Sequence, residues 1–354
     1  MPEKADFNLL CWGGYEEPAL LDPFAAEHGI TARGETFVSD SAAAGRLVEG
    51  AGFDVANLNN PFARDLLYPQ GVIRALEKER FAPHFDRMLP EFRDLYRWGY
   101  SADGTEIIGV CQRFGPFNLV VDTRRLGREA AEEAGFELPK DPAQRGRYGV
   151  LEFEDFNLFH IAITAGIDPF VPLGPDALAA FERTARLWFE GAALVTSDPD
   201  LLNRALVQGE IDFYLSGGLF SASPVRRDGV RTVCAVTPRR GPIAGKGAIV
   251  FMEVTSAIAH PAASPHGADF LEYILRPEVA LRVALAQGSL NPVAQMGDPA
   301  VMRGFSRDAL EIIQWESLAE DVARCAHYRI PPDRAELRRR LAAAKRAASP
   351  SSVC

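Results

Sequence analysis

The chain has 354 residues, 47% of them hydrophobic, with 38 Lys plus Arg against 48 Asp plus Glu and a formal net charge of −10. That length provides material for about two domains, and the acidic balance speaks against a nucleic-acid partner, because phosphate binding draws on clustered basic charge. No stretch approaches the roughly 20 apolar residues that cross a bilayer.

Phe7–Trp12 is predicted to be a buried strand, followed at once by Gly13-Gly14-Tyr15. Glu16-Glu17-Pro18 then opens an apolar helical pattern (Ala19, Leu20, Leu21, Phe24, Ala25) over 18–28, stopped by Gly29. Acids and a proline suit a helix start, where free N–H groups and the dipole favour negative charge. Trp12 and Tyr15 therefore stand at the carboxyl end of a strand, where open α/β sheets bind ligands and where aromatic faces attract cations. The purely structural alternative is that Trp12 fills a core. A strand over 31–38, a small-residue helix over 41–50 and a strand over 53–58 complete a βαβαβ order, which predicts a parallel sheet with right-handed crossovers. That order delivers Asn59-Asn60-Pro61 to the same end.

Strands are predicted over 107–111 and 118–122, flanking Arg113-Phe114-Gly115-Pro116, and a second α/β block begins there. A helix over 126–135 precedes a strand over 148–153, which leads into Glu154-Asp155-Phe156-Asn157 and a new helix. The segment 176–189 is an amphipathic helix with Leu178, Phe181, Ala185 and Trp188 on one stripe. A helix over 199–208, a strand over 211–215 closed by Ser216-Gly217-Gly218, and strands over 232–238 and 248–253 follow. Helices over 265–275 and 277–287, a turn at Asn291-Pro292-Val293 and a basic helix over 333–348, read as a solvated terminal helix, end the pattern.

Much familiar chemistry is missing. Gly241-Pro242-Ile243-Ala244-Gly245-Lys246-Gly247 is one spacer short of a P-loop and has no Ser or Thr after the lysine. Leu215-Ser216-Gly217-Gly218 lacks the first glycine of a nucleophile elbow. The histidines (His28, His84, His160, His260, His266, His327) never fall at i, i+3 or i, i+4, so a metal would need ligands from distant segments, and nothing in the sequence points to one. Cys11, Cys111, Cys234, Cys325 and Cys354 form no metal-type pair, and their odd number speaks against a full disulfide framework and for a reducing compartment. Met1-Pro2-Glu3-Lys4-Ala5-Asp6 is polar and carries no secretory signal, which fits either a cytosolic protein or a mature form given a new Met.

Five stretches, in order, resemble the spermidine/putrescine-binding group of periplasmic solute-binding proteins of ABC importers. They are Leu10-Cys11-Trp12-Gly13-Gly14-Tyr15, Phe53-Asp54-Val55, Gly209-Glu210-Ile211-Asp212, the run from Phe270 to Ala280 (FLEYILRPEVA), and Gln314-Trp315-Glu316. The resemblance implies a type II, two-lobed α/β fold with a hinge and an interlobe ligand cleft. Lobe 1 would hold 1–117 plus 254–313, and lobe 2 would hold 118–253 plus 314–354. It implies that Trp12 and Tyr15 form aromatic walls, that Asp155 is an amine-binding acid, and that Glu316, beside Trp315, contacts the ligand. Glu253 falls near a family aromatic, Thr255 replaces an acidic anchor and Asn59 replaces a serine. Gly217 stands where a stacking Trp is usual, with Phe114 and Tyr214 as local substitutes.

Each of these residues also has a structural alternative. Asp155 suits a helix cap or first turn, Glu316 a solvated face and Trp315 a core, whereas an acid at Glu253, ending an apolar strand, demands a partner. The resemblance implies a monomeric, periplasmic, non-enzymatic protein, its leader removed, without metal or cofactor. It would pass a small cationic organic solute, such as putrescine, spermidine or a related cation, to the membrane permease subunits of an ABC importer. Two alternatives stand beside this: the same fold holding a zwitterionic or carboxylate solute through Arg113 and Asn59, or a two-lobed enzyme.

Overall fold

A computed structural model describes residues 6–348; the polar start Met1–Ala5 and Cys354 lie outside the described residues. The strands are β1 (Phe7–Cys11), β2 (Ala32–Thr36), β3 (Val55–Asn59), β4 (Val110–Asp122), β5 (Tyr148–Leu151), β6 (Leu194–Thr196), β7 (Phe213–Gly218), β8 (Val233–Val236), β9 (Ala248–Ala257) and β10 (Cys325–His327). The chain divides into two compact units, Met1–Phe114 with Phe251–Ile313, and Gly115–Val250 with Gln314–Cys354. The crossings within β4 and β9 lie three residues before 117/118 and 253/254, so Glu253 belongs with the first unit.

In the first unit β1 lies between β2 and β3, parallel to both, as the βαβαβ order dictates. The far half of β9 runs antiparallel to β3, with Thr255 opposite Asn57 and Glu253 opposite Asn59. Helix Pro18–His28 has proline at its start and closes on Gly29 at φ 64°, the left-handed position that glycine fills without penalty. Gly34 in β2 permits a close crossing, since a Cβ there would meet Cα of Glu16 at 2.6 Å. The core gathers Phe7, Phe24 and Phe270, with centroids 5.0–5.3 Å apart, and Tyr273 donates to the carbonyl of Leu20 at 2.8 Å. The 270–280 motif thus acts as packing for β1 and its helix.

In the second unit β4 pairs antiparallel with β7 on one side and β8 on the other, while β7, β5 and β6 run parallel. β10 pairs with the first residues of β9. The two short strands expected around Arg113 to Pro116 are one continuous, wholly buried strand, β4. Proline is tolerated there because β4 changes partners at that point: Phe114 donates to the carbonyl of Pro292, and pairing with β7 starts at Phe117. Likewise β7 runs on through Ser216, at φ 64°, to Gly218.

The C-terminal helix Arg334–Ala348 is not a solvated appendage. Leu337, Leu341 and Ala344 are buried, Lys345 pairs with Glu152 and Arg340 pairs with Glu182. Among the described residues, Cys11, Cys111 and Cys325 are buried free thiols and Cys234 is a half-buried one. No helix among them is long and apolar enough to cross a membrane.

Candidate functional site

The carboxyl ends of β1 and β3 meet β9 and the start of β4 in the first unit. There Tyr15, Arg113 and Glu253 form one buried group. Oε2 of Glu253 accepts from the Tyr15 hydroxyl at 2.8 Å and from Nε of Arg113 at 2.9 Å. Nη2 of Arg113 donates to the carbonyl of Gly13 at 3.0 Å, and its guanidinium lies 4.7 Å from the Tyr15 ring centroid. The face of Tyr15 is thus already occupied by a cation of the protein itself. Arg113 is 6% exposed and Glu253 7%; at such burial a charge demands a partner, and each is the other's. Burial and the Glu253 carboxylate push the Tyr15 hydroxyl's pKa well up. Burial opposes the Arg113 charge, but the groups around it, Glu253 foremost and then Tyr15, together outweigh this, and the Arg113 pKa rises.

This group is not saturated. Among the described residues, Oε1 of Glu253 and Nη1 of Arg113 have no hydrogen-bond partner, and neither is sealed from solvent. Beside it, Asn59 donates through its backbone N–H and Nδ2 to the two carboxylate oxygens of Asp40, at 2.9 and 2.7 Å. Nε1 of half-buried Trp12 donates to the same carboxylate at 3.1 Å, and its ring packs on Phe37 at 4.9 Å. Asp40 owes its place to Ser39, which caps helix Asp40–Val48. Oδ1 of Asn59 and both amide atoms of Asn60 are buried without a partner among the described residues. Orphaned polar atoms at that density call for an explanation. Thr255 faces away from any acidic role: its hydroxyl accepts from Asn57 at 2.9 Å.

The second unit holds the other expected site residues. Asp155 lies in the first turn of helix Glu154–Thr164 rather than at its cap, and its Oδ1 accepts from Nε and Nη2 of Arg334 at 3.1 and 2.7 Å. Thus two of the three acids expected to neutralise a cationic solute, Glu253 and Asp155 but not Glu316, are already paired with an arginine of their own unit. Tyr214 is fully buried, its hydroxyl bonded to Asn203 and Ser221 at 3.1 and 3.0 Å. Phe114, in the first unit, is sealed against Phe92 at 4.9 Å. Trp315 is half-buried and Glu316 exposed at the start of helix Trp315–Ala323.

No family model matches the sequence. Among solved structures, a spermidine/putrescine ABC transporter substrate-binding protein, PotD from Streptococcus pneumoniae, has a TM-score of 0.67 at 13% identity, covering 96% of this chain and 99% of its own. The TpPotD lipoprotein of Treponema pallidum has a TM-score of 0.68 at 12% identity, with 97% and 98% covered. The fold is that of the periplasmic solute-binding proteins. MotA from A. tumefaciens B6, a periplasmic binding protein solved with glucopine, shares it at a TM-score of 0.61 and 14% identity, with 97% and 98% covered. Within this periplasmic binding protein fold, the sequence reading had Trp12, Tyr15, Asn59 and Glu253 as candidates, and all four lie at the β1–β3–β9 end. It set Arg113 only in an alternative and missed Asp40 and Arg334. Arg113 carried a signal, a lone charge in the apolar run Cys111 to Leu119; Asp40 and Arg334 read as ordinary helix-end residues.

Proposed function

We propose that this chain is an extracytoplasmic solute-binding protein of an ABC importer and that its solute is a small molecule bearing an amine and an adjacent acidic group. The observation that carries the reading is the Tyr15–Glu253–Arg113 group, with one carboxylate oxygen and one guanidinium nitrogen lacking partners among the described residues in a setting of low exposure. An ammonium answers Oε1 of Glu253, a carboxylate answers Nη1 of Arg113, and Asn59 and Asn60 supply neutral polar contacts. Trp12 offers a face worth roughly 0.5–2 kcal/mol to a cationic group. A polyamine without an acid is disfavoured here, because Arg113 sits against the same carboxylate that would neutralise it. Likeness along nearly the whole chain to a spermidine/putrescine ABC transporter substrate-binding protein and to a periplasmic binding protein solved with glucopine supports the transport role. In this reading the protein delivers its solute unchanged, as a monomer, to permease subunits.

A thermal-shift panel of putrescine, spermidine, quaternary amines, betaines, amino acids and simple carboxylates tests it. A solute at a hundredfold excess over Kd stabilises by about 2.7 kcal/mol. We expect amine-bearing zwitterions to act most strongly and to be recovered intact after incubation. Stabilisation by simple carboxylates alone, or chemical conversion of the bound solute, overturns the proposal.

A further inference from the structure

The histidines share no helical spacing, yet the fold brings two of them together in the first unit, away from the Trp12–Glu253 group. His28 is the last residue of helix Pro18–His28, and His266 directly precedes helix Gly267–Tyr273. Their ring centroids are 4.8 Å apart. Asp269, one helical turn on, places Oδ2 3.2 Å from Nδ1 of His266. One ligating atom from each of His28, His266 and Asp269 lies within 4.8 Å of the other two, and all three residues are half-buried. Donor atoms sharing a tetrahedral ion at about 2.0–2.2 Å lie about 3.3–3.6 Å apart, so an ion asks these half-buried side chains to close by up to about 1.5 Å, which side-chain rotation supplies.

The surrounding charge suits a cation. Arg80 binds Oδ1 of Asp269 at 2.8 Å and Glu272 at 2.5 Å, leaving Oδ2 of Asp269 facing the histidine. Arg276 binds Glu27, the residue before His28, at 2.7 Å. Three carboxylates thus stand against two guanidinium groups. His28 also ends a helix, where the dipole favours positive charge.

We propose that His28, His266 and Asp269 form a site for a divalent transition-metal ion. Two imidazoles and a carboxylate select zinc, nickel or copper over magnesium and calcium, which prefer all-oxygen shells. The bound ion joins the end of one helix to the start of another, far along the chain, and so fastens the first unit. The site is independent of the solute reading.

Isothermal titration of the full chain with zinc chloride in a non-chelating buffer tests the proposal, with His28→Gln and His266→Gln alongside. We expect one ion per chain, a Kd raised at least tenfold by either substitution, and no competition from excess magnesium or calcium. Metal-free melting of each variant checks that it is folded. Cobalt on the unaltered chain gives a second readout, a visible d–d band abolished by added zinc. The proposal is overturned by the absence of saturable zinc binding, by a zinc affinity in either folded variant unchanged from that of the unaltered chain, by displacement with magnesium, or by cobalt binding without that band.

Discussion

Replacing Arg113 by methionine removes the sole guanidinium that faces Glu253 among the described residues. The substitution deletes the 2.9 Å ion pair and the bond to Gly13, and takes the cation off the Tyr15 ring. Glu253, 7% exposed, keeps only the Tyr15 hydroxyl. Stranding one member of a buried pair costs about 3–5 kcal/mol, so Arg113→Met and Glu253→Met should each lose that much. The double variant should lose far less than the sum, because no charge is left behind. Its residual loss should be about 1–3 kcal/mol, from the Tyr15 hydroxyl deprived of its acceptor, and Tyr15→Phe added to it should recover most of that. Urea unfolding of the full chain, followed by tryptophan fluorescence, measures each midpoint, and the double-mutant cycle isolates the coupling. A single variant losing under about 1 kcal/mol, or strictly additive losses, would refute the account of this group as a mutually dependent buried pair.

Three further outcomes follow from other parts of the molecule. His160 is wholly buried, its ring stacked on Phe136 and Nδ1 3.0 Å from Ser216, and burial pushes its pKa from 6.5 down to about 3. The unfolded chain therefore takes up this proton near pH 6.5 and the native one only near 3. Stability should fall with acidification across that window by up to about 1.4 kcal/mol per pH unit, and His160→Phe should flatten the slope; parallel urea midpoints for both chains at pH 7, 5 and 4 would disprove this. Trp12→Ala should raise the solute Kd about tenfold or more in calorimetry while the chain still unfolds cooperatively, and an unchanged affinity puts Trp12 outside the site. Gly34→Ala should cost about 1–3 kcal/mol in urea unfolding, because its Cβ would press on the backbone of Glu16, and a loss below 0.5 kcal/mol on the order of measurement error counts against that crossing.

The parts of the fold legible in the sequence were those set by local rules. Pro18 and Gly29 bracket a helix, and Pro199 and Gly209 another, because proline and left-handed glycine act within a turn of where they stand. Parallel β1, β2 and β3 follow from alternation alone. Strand lengths were less legible. β4, β7 and β9 run past the breakers Pro116, Ser216 and Glu253, since each finds ladder partners from segments far away in sequence. The site divides in the same way. Trp12, Tyr15 and Asn59 were marked by standing at strand ends, a topological rule. That Glu253 and Asp155 face Arg113 and Arg334 depends on separations of 140 and 179 residues, which no local pattern encodes. The meeting of His28 with His266 is equally non-local.

Neither compact unit is a continuous piece of chain. The first lacks β9 and the Phe270 core until residue 313 has been made, and the second lacks Arg334 and the helix that covers 175–191 until residue 348 has been made. Domains in most chains fold in order as they leave the ribosome; here the growing polypeptide can complete neither half early. A nascent chain of this kind stays loose until both returning segments have been made, and a cut after residue 114 or 250 should yield fragments that do not fold alone.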